Sequence, residues 1–386
     1  MRACQPKPPL RRTSRSTPYA GERGTFGVSV REVCEHTFVR WDNLENGAGT
    51  QGLLPGLGEP VTRTFDAPEA LGIRFHEVQA RSAINGVPER SRMPFRWTIN
   101  PFRGCTHACV YCFARPTHTY LDLNAAEDFE REIVVKVNAP ELVRAELGKK
   151  SWRGDHVALG TNTDPYQWVE SKYKLMPGIW EAMRDFSNPC SVLSKSPLLL
   201  RDLPLFKQIA ARTEFVANLS VPTLDEKAWR ASEPHTPHPK TRLAAVGELN
   251  RAGIPTGVLV APLMPGINDD PRQVERILEV AGEMGAKSVG GIGLHLRGEV
   301  KGLFMDWLRQ YRPDLVDRYE RLYGKGSYLP VAERGRLAKL ARGKNPPRRF
   351  LRPSAPVERT NAAASARGRG STRSQRRDSA GQARLF

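Results

Sequence analysis

The chain has 386 residues, 39% of them hydrophobic, and a formal net charge of +18. That length buries a large core without forcing two domains. No apolar run reaches the ~18 residues of a membrane helix, and no apolar segment follows the basic N-terminus, so neither a membrane span nor a secretory signal is expected and a cytoplasmic location is. The charge is concentrated at the ends. From residue 341 onward twelve Lys or Arg face Glu358 and Asp378, and residues 1–38 hold seven against three, which leaves +4 for the 302 residues between. A basic tail of this kind is a possible contact for nucleic-acid phosphates, whereas the core is close to neutral. Six cysteines in a chain without a secretory signal argue against a disulfide framework.

In chain order, residues 1–38 are rich in Pro, Arg, Ser and Thr and are expected to be disordered, or not part of the native product. Residues 39–95 form a lead-in segment. The pattern then alternates six times between a short β-rich apolar run and a helix-period segment, which signals parallel strands joined by helical crossovers. Strands are expected at 96–100, 156–160, 191–194, 214–221, 256–263 and 288–296. Helices are expected at 140–147, 177–186, 205–211, 242–252, 271–284 and 303–311, with Leu243, Val246 and Leu249 forming one apolar stripe. Residues 314–343 read as a helical extension. The tail from residue 344 is charged and small, a composition that cannot offset its ordering entropy. Six parallel strands fit either a doubly wound sheet or a partial barrel. In both, ligands gather at the C-terminal strand ends, where Cys105, Asp164, Lys195, Ser220 and Asn268 fall. No G-x-G-x-x-G opens a helix after the first strand, which weakens a dinucleotide-binding reading.

Three of the six cysteines lie within eight residues, Cys105-x3-Cys109-x2-Cys112. A [4Fe-4S] cluster usually takes four thiolates, so three leave one iron open, and an open position is what a catalytic metal site needs. A zinc site completed by His107 or His118 is one alternative. A ferredoxin-like electron carrier is another, although no further cysteine occurs between Cys112 and Cys190. Cys190 opens an apolar strand, where a buried free thiol is the ordinary outcome.

Cys105-Thr-His-Ala-Cys109-Val-Tyr-Cys112 resembles the C-x3-C-x-aromatic-C signature of the radical SAM superfamily. The flanking Asn100-Pro-Phe-Arg-Gly and Cys112-Phe-Ala-Arg115 extend the likeness. With Thr163-Asp-Pro-Tyr-Gln167, Ser194-Lys-Ser196, Arg201-Asp202, Glu233-Pro234 and Ala261-Pro-Leu-Met-Pro-Gly-Ile-Asn-Asp269, they resemble the spore photoproduct lyase-like branch, often labelled DNA repair photolyase, over residues 97–313. Val39-Arg40-Trp41-Asp42 also resembles the start of related chains, and Val can arise from a GTG start codon.

The resemblance implies a partial (β/α)6 TIM-like barrel of the radical SAM type carrying a [4Fe-4S] cluster and S-adenosyl-L-methionine. The open iron would chelate the cofactor's amino and carboxylate groups. An electron from a flavodoxin or ferredoxin type donor would then release a 5'-deoxyadenosyl radical that abstracts hydrogen from the substrate. Cys105, Cys109 and Cys112 become the metal ligands. Tyr111 matches the adenine-contacting position, and Thr163 and Asp164 match a pair that meets the cofactor's amino group. Lys195 suits its carboxylate, and Ser220 a ribose hydroxyl or carboxylate. Arg201, Glu233, Arg242 and His295 are candidates to face substrate. The branch's hydrogen-donating cysteine is missing, because the stretch before Thr163 reads Gly160-Thr161-Asn162. The lyase reaction is therefore not implied unless Tyr111 or Tyr166 donates. A nucleic-acid substrate follows from the branch and the basic tail. A peptide, protein or small metabolite follows from the near-neutral core and the missing thiol, and a non-enzymatic metal-binding interaction protein is the reading from a third class.

Overall fold

The computed structural model describes residues 61–88, 91 and 93–342, and the backbone of Leu44–Glu45. The segments 1–38 and 344–386, expected to be disordered, lie outside the described residues. In chain order the strands are β1 Leu44–Glu45, β2 Val61–Arg63, β3 Arg74–Ala80, β4 Ile84–Gly86, β5 Trp97–Ile99, β6 Phe102–Arg103 and β7 Glu132–Lys136, then β8 Val157–Leu159, β9 Cys190–Ser194, β10 Phe215–Ser220, β11 Thr256–Leu263 and β12 Val289–Gly293. The helices are α1 Asp128–Arg131, α2 Ala139–Leu147, α3 Glu170–Tyr173, α4 Leu175–Asp185, α5 Leu203–Ala210 and α6 Glu226–Ser232, then α7 Pro239–Arg251, α8 Pro271–Glu283, α9 Val300–Tyr311, α10 Val316–Tyr323 and α11 Val331–Leu340. Among the described residues no helix is long and apolar enough to cross a membrane.

Seven strands form one sheet in the order β12-β11-β10-β9-β8-β5-β4. The six from β5 to β12 are mutually parallel and lie in chain order, while β4 pairs antiparallel at the edge. Helices occupy each crossover, and β12 and β4 end the path without pairing to each other. This is the partial (β/α)6 barrel that the family resemblance implies, where the hydrophobic alternation alone leaves a doubly wound sheet open.

The residues explain the winding. On β10, Phe215, Ala217 and Leu219 alternate as buried positions, the period of two that a pleated strand imposes. On α8, Val274, Ile277 and Ala281 bury one stripe at helical spacing. Asp225 starts α6 by accepting from Ala228 N, and Asp270 starts α8 by accepting from Arg272 N and Gln273 N, each satisfying orphan amides of a first turn. Behind the sheet Phe206 stacks on Phe215 at 4.7 Å, and both meet Trp180 edge-on at 5.3 and 5.6 Å. Asn268 crosses the loops after two strands, donating to Pro222 O and Pro262 O and accepting from Met264 N.

A second sheet was not foreseen. It runs β1-β3-β7-β6, with β2 also on β3, and it fills the first crossover and the lead-in segment. Its central pair joins Arg74 to Glu132, 58 residues apart, and includes the charged sequence Arg74–Ala80. Charge there is compatible with a strand because Glu132, 6% exposed, accepts from Arg74 and lies 2.7 Å from His76 Nε2.

One glycine is required by this framework. Gly160, just past β8, has φ +76°, and a Cβ there would stand 1.9 Å from Leu193 O on the neighbouring strand. Gly160→Ala combines a left-handed strain with a backbone clash, so it is expected to cost about 3 kcal/mol or more. A lowered urea midpoint for the purified variant checks this, and an unchanged midpoint would contradict it.

Candidate active site

The stretch from Cys105 to Cys112 contains neither helix nor strand, so neighbours must hold it. Gly104 leads in with φ +78°, where a Cβ would meet Ile133 at 2.8 Å and Phe129 O at 2.9 Å. Cys105 N donates to Phe129 O, and Cys112 N donates to Cys109 O. From the barrel side, fully buried Gln167 accepts from Thr106 N at 2.9 Å and donates to Gly104 O at 3.1 Å. From the other side, buried Arg115 donates to the carbonyls of Cys109, Ala108, Ala125 and Ala126 and pairs with Glu130. One guanidinium thus organises the loop, a task its five-donor fork suits.

Cys105 and Cys109 are nearly buried, whereas Cys112 is partly exposed. Burial raises the pKa of all three thiols, and for Cys105 burial together with the nearby negative charges of Asp164 and Cys112 raises it to about 12. Each thiolate therefore opposes the formation of the next unless a cationic group sits among them, which is the donor chemistry of a metal centre. Among the described residues no three of His, Cys, Asp and Glu stand close enough to share a single metal ion.

Across the mouth the strand ends converge on a buried carboxylate. Glu233, at the end of α6, is fully buried and pairs with Arg242 at 2.7 Å and with Lys195 at 2.9 Å, while the Tyr111 hydroxyl donates to it. Burial alone would raise the Glu233 pKa, but the cations of Arg242 and Lys195 overcome it and hold the carboxyl at about 2. Arg242 also donates to Ser220 O at 3.0 Å and to Pro237 O at 2.8 Å. The Lys195 ammonium, just past β9, donates to Ser220 Oγ at 2.7 Å and lies 5.7 Å from the Tyr111 ring centroid. Tyr111, Lys195, Ser220, Glu233 and Arg242, spread over 132 positions of sequence, thus form one connected network.

Thr163 and Asp164 occupy the opposite wall. The Thr163 hydroxyl donates to Phe102 O at 2.9 Å. Asp164 accepts from Ser194 Oγ, Tyr166 N and Lys195 N, and His107 Nδ1 lies 3.4 Å from it. These bonds tie the β8 loop to β6 and β9. Burial lowers the His107 pKa, and Asp164 only partly opposes that, so the imidazole beside Cys105 is neutral.

The other sequence candidates separate. Arg201 stands apart, paired with Glu170 at 2.6 Å and Asp202 at 2.8 Å. Tyr166 is fully buried, its hydroxyl donating to Asp202 and accepting from Trp180 Nε1, so solvent does not reach it. His295 stacks between Phe113 and Tyr328 on the open side of the mouth. Cys190 is a buried thiol at the start of β9, and Cys4 and Cys34 lie outside the described residues. Arg115 and Gln167 were visible only as letters within motifs. Their task depends on carbonyls supplied by other segments.

A parallel β/α sheet with a three-thiol loop at its C-terminal ends matches a family model: residues 99–289 fit the Radical SAM superfamily. The chain belongs to the radical SAM superfamily and is a radical SAM enzyme. An uncharacterized protein of Mycobacterium tuberculosis is 46% identical over 287 residues, spanning 74% of this chain and 84% of that one. An uncharacterized protein of Methanocaldococcus jannaschii is 27% identical over 198 residues, spanning 51% and 70%. Among solved structures, a spore photoproduct lyase complexed with dinucleoside spore photoproduct superposes with a TM-score of 0.53 at 14% identity, covering 69% of this chain and 77% of the other. A spore photoproduct lyase variant with bound AdoMet and the same dinucleoside gives 0.52 at 16% identity, covering 69% and 76%. At such identities the likeness is one of fold.

A carboxylate held below its ordinary value stabilises the fold above the unfolded value and ceases to do so as pH falls through its folded one. For Glu233 that window runs from its ordinary value of 4.5 down to about 2. Metal-free wild type is therefore expected to lose about 3 kcal/mol more than Glu233→Gln across this window, measured by urea unfolding at stepped pH. Equal losses would contradict the ionised network.

Proposed function

We propose that Cys105, Cys109 and Cys112 hold a [4Fe-4S] cluster with one iron free of protein ligands, that this iron takes S-adenosyl-L-methionine, and that the substrate is nucleic acid. The observation that carries the reading is the donor set: three thiols on one loop, Cys105 and Cys109 buried and Cys112 partly exposed, all held neutral by burial in the absence of a cation. Three thiolates are one ligand short of a closed zinc site, whereas in a cluster they leave one iron open. When bound, the pair supplies reductive cleavage of the sulfonium carbon–sulfur bond and a 5'-deoxyadenosyl radical for hydrogen abstraction.

The chain's own residues would bind, orient and exclude water. Lys195 keeps its ammonium at the mouth because Glu233 and Ser220 anchor it, so it offers a carboxylate of the cofactor a charge-assisted partner. Asp164 offers the amino group the opposite charge, and its bonds to Ser194 and Lys195 fix where that charge stands. Tyr111 presents a ring pinned through its hydroxyl, suited to stacking on adenine. Ser220 Oγ, which already bridges Lys195 and Ala261 O, would meet a ribose hydroxyl or carboxylate. Thr163 holds the wall on which Asp164 sits. A flavodoxin or ferredoxin type protein would deliver the electron beside partly exposed Cys112.

Nucleic acid is supported by the basic tail, twelve Lys or Arg against two carboxylates from residue 341 onward, and by the dinucleoside bound in structures of similar fold. The lyase outcome itself is not supported, because no thiol precedes Thr163 and the Tyr111 and Tyr166 hydroxyls are bonded within the protein.

Anaerobic reconstitution tests the reading. Wild type is expected to hold about four irons per chain and, with dithionite and S-adenosyl-L-methionine, to release 5'-deoxyadenosine, while Cys109→Ala releases none. A reconstituted wild type that forms no 5'-deoxyadenosine would overturn it.

A further inference from the structure

A row of rings lies at the mouth outside the pocket just described. Phe113 directly follows Cys112, the most exposed of the three cysteines, and is itself 48% exposed. His295 lies two residues beyond β12 and pairs through an antiparallel bridge with Tyr328, which is 54% exposed. The Phe113 and His295 ring centroids are 5.7 Å apart with planes inclined at 39°, and those of His295 and Tyr328 are 5.7 Å apart at 27°. The imidazole is thus flanked by two rings that each leave about half their surface to water, a separation within the ordinary range of offset aromatic pairs. The ledge joins the loop after the first parallel strand to the segment after the last, and so spans the gap where the barrel stays open.

Exposed large apolar rings are informative when they cluster beside a site rather than scatter. Ile292 on β12, three residues before His295, is 51% exposed. Burial lowers the His295 pKa and the charge of Arg297 lowers it further, so the imidazole behaves as an uncharged flat ring. Exposed Arg297 follows His295 by two residues, and exposed Lys325 precedes Tyr328 by three. Flat rings flanked by cations form the two-part surface that single-stranded nucleic acids use, with bases stacking and phosphates meeting positive charge.

We propose that Phe113, His295 and Tyr328 form a stacking ledge for an unpaired nucleobase, which positions the attached sugar or the adjoining base toward the cysteine loop, with Arg297 meeting the flanking phosphate. The ledge deepens the nucleic-acid reading above and rests on it for its role in substrate positioning. An extruded or single-stranded base fits the gap, whereas a paired base in a duplex keeps both faces stacked. The exposed cations Arg297 and Lys325 beside the rings complement a polyanion and give a neutral aromatic peptide no comparable attraction.

The test compares a short fluorescein-labelled single-stranded DNA with its abasic counterpart, which keeps the phosphates and lacks the bases. Both are titrated by anisotropy against the reconstituted full-length holoenzyme under anaerobic conditions and moderate salt. Basic segments bind both strands alike, so the affinity ratio isolates the bases. Wild type is expected to prefer the base-bearing strand by about tenfold or more. Phe113→Ala combined with Tyr328→Ala is expected to bring the ratio close to one, and Tyr328→Phe to preserve it. A 2-aminopurine in the strand is expected to change its fluorescence on binding to wild type, which keeps the idea falsifiable should the double variant misfold. Equal affinities for the two strands in wild type, an undiminished ratio in the folded double variant, or competition by an aromatic peptide equal to that by the oligonucleotide would overturn the ledge. Formation of 5'-deoxyadenosine by the same wild-type preparation separates the cases: if it persists without base preference the ledge alone fails, and if it is absent the functional reading fails.

Discussion

The cysteine loop cannot hold its own shape, and the rest of the site is arranged around that constraint. Its backbone lacks the repeating bonds of helix or strand, yet polar groups taken from water must find partners. Arg115 supplies them from one side and Gln167 from the other, so the thiols are fixed by two side chains that would not themselves touch a metal. The small second sheet has the same purpose. Its strand β7 brings Ile133 against Gly104, and α1, which leads directly into β7, supplies Phe129 O as the acceptor for Cys105 N. The insertion in the first crossover is thus the support for the cysteine loop.

Glu233 answers a second requirement, that charge be kept at the mouth without being left unpaired. A lone buried carboxylate would be protonated, and a lone buried lysine would lose its proton. Between Arg242 and Lys195 the Glu233 carboxylate stays ionised, at the cost of desolvating the group. The gain is positional: Lys195 is aimed by bonds to Glu233 and Ser220, both from the next β/α unit, so the cationic spot moves only if the strands move. Arg242 in turn is tied to the Ser220 carbonyl and to the loop after α6. The wall carrying Asp164 is braced in the same manner by Ser194 and by amides of neighbouring segments.

Much of the barrel is legible in the sequence because its signals are local. Each of the six strands is a short apolar run and each crossover has an amphipathic stripe, so strands such as Thr256–Leu263 were read at their observed bounds. The second sheet is not legible, because β3 carries Arg, His and Glu and becomes a strand only through pairing with residues 58 positions away. The site divides similarly. The three cysteines announce themselves by spacing, and Lys195 and Ser220 by position at strand ends. That Tyr111 and Glu233 are bonded, 122 positions apart, is a property of the folded chain alone. The rings of Phe113, His295 and Tyr328 carried no shared sequence signal, and only the return of the chain after β12 sets them side by side.

The central claim is that three protein thiolates leave one iron to the cofactor, and the most direct test observes that bond. The reduced cluster of the reconstituted protein should be examined by electron-nuclear double resonance with S-adenosyl-L-methionine carrying oxygen-17 in its carboxylate and, separately, nitrogen-15 in its amino group. Hyperfine coupling to both labels in wild type is the predicted result. A cluster that shows coupling to neither, or that gains a fourth ligand from the protein, would contradict the account.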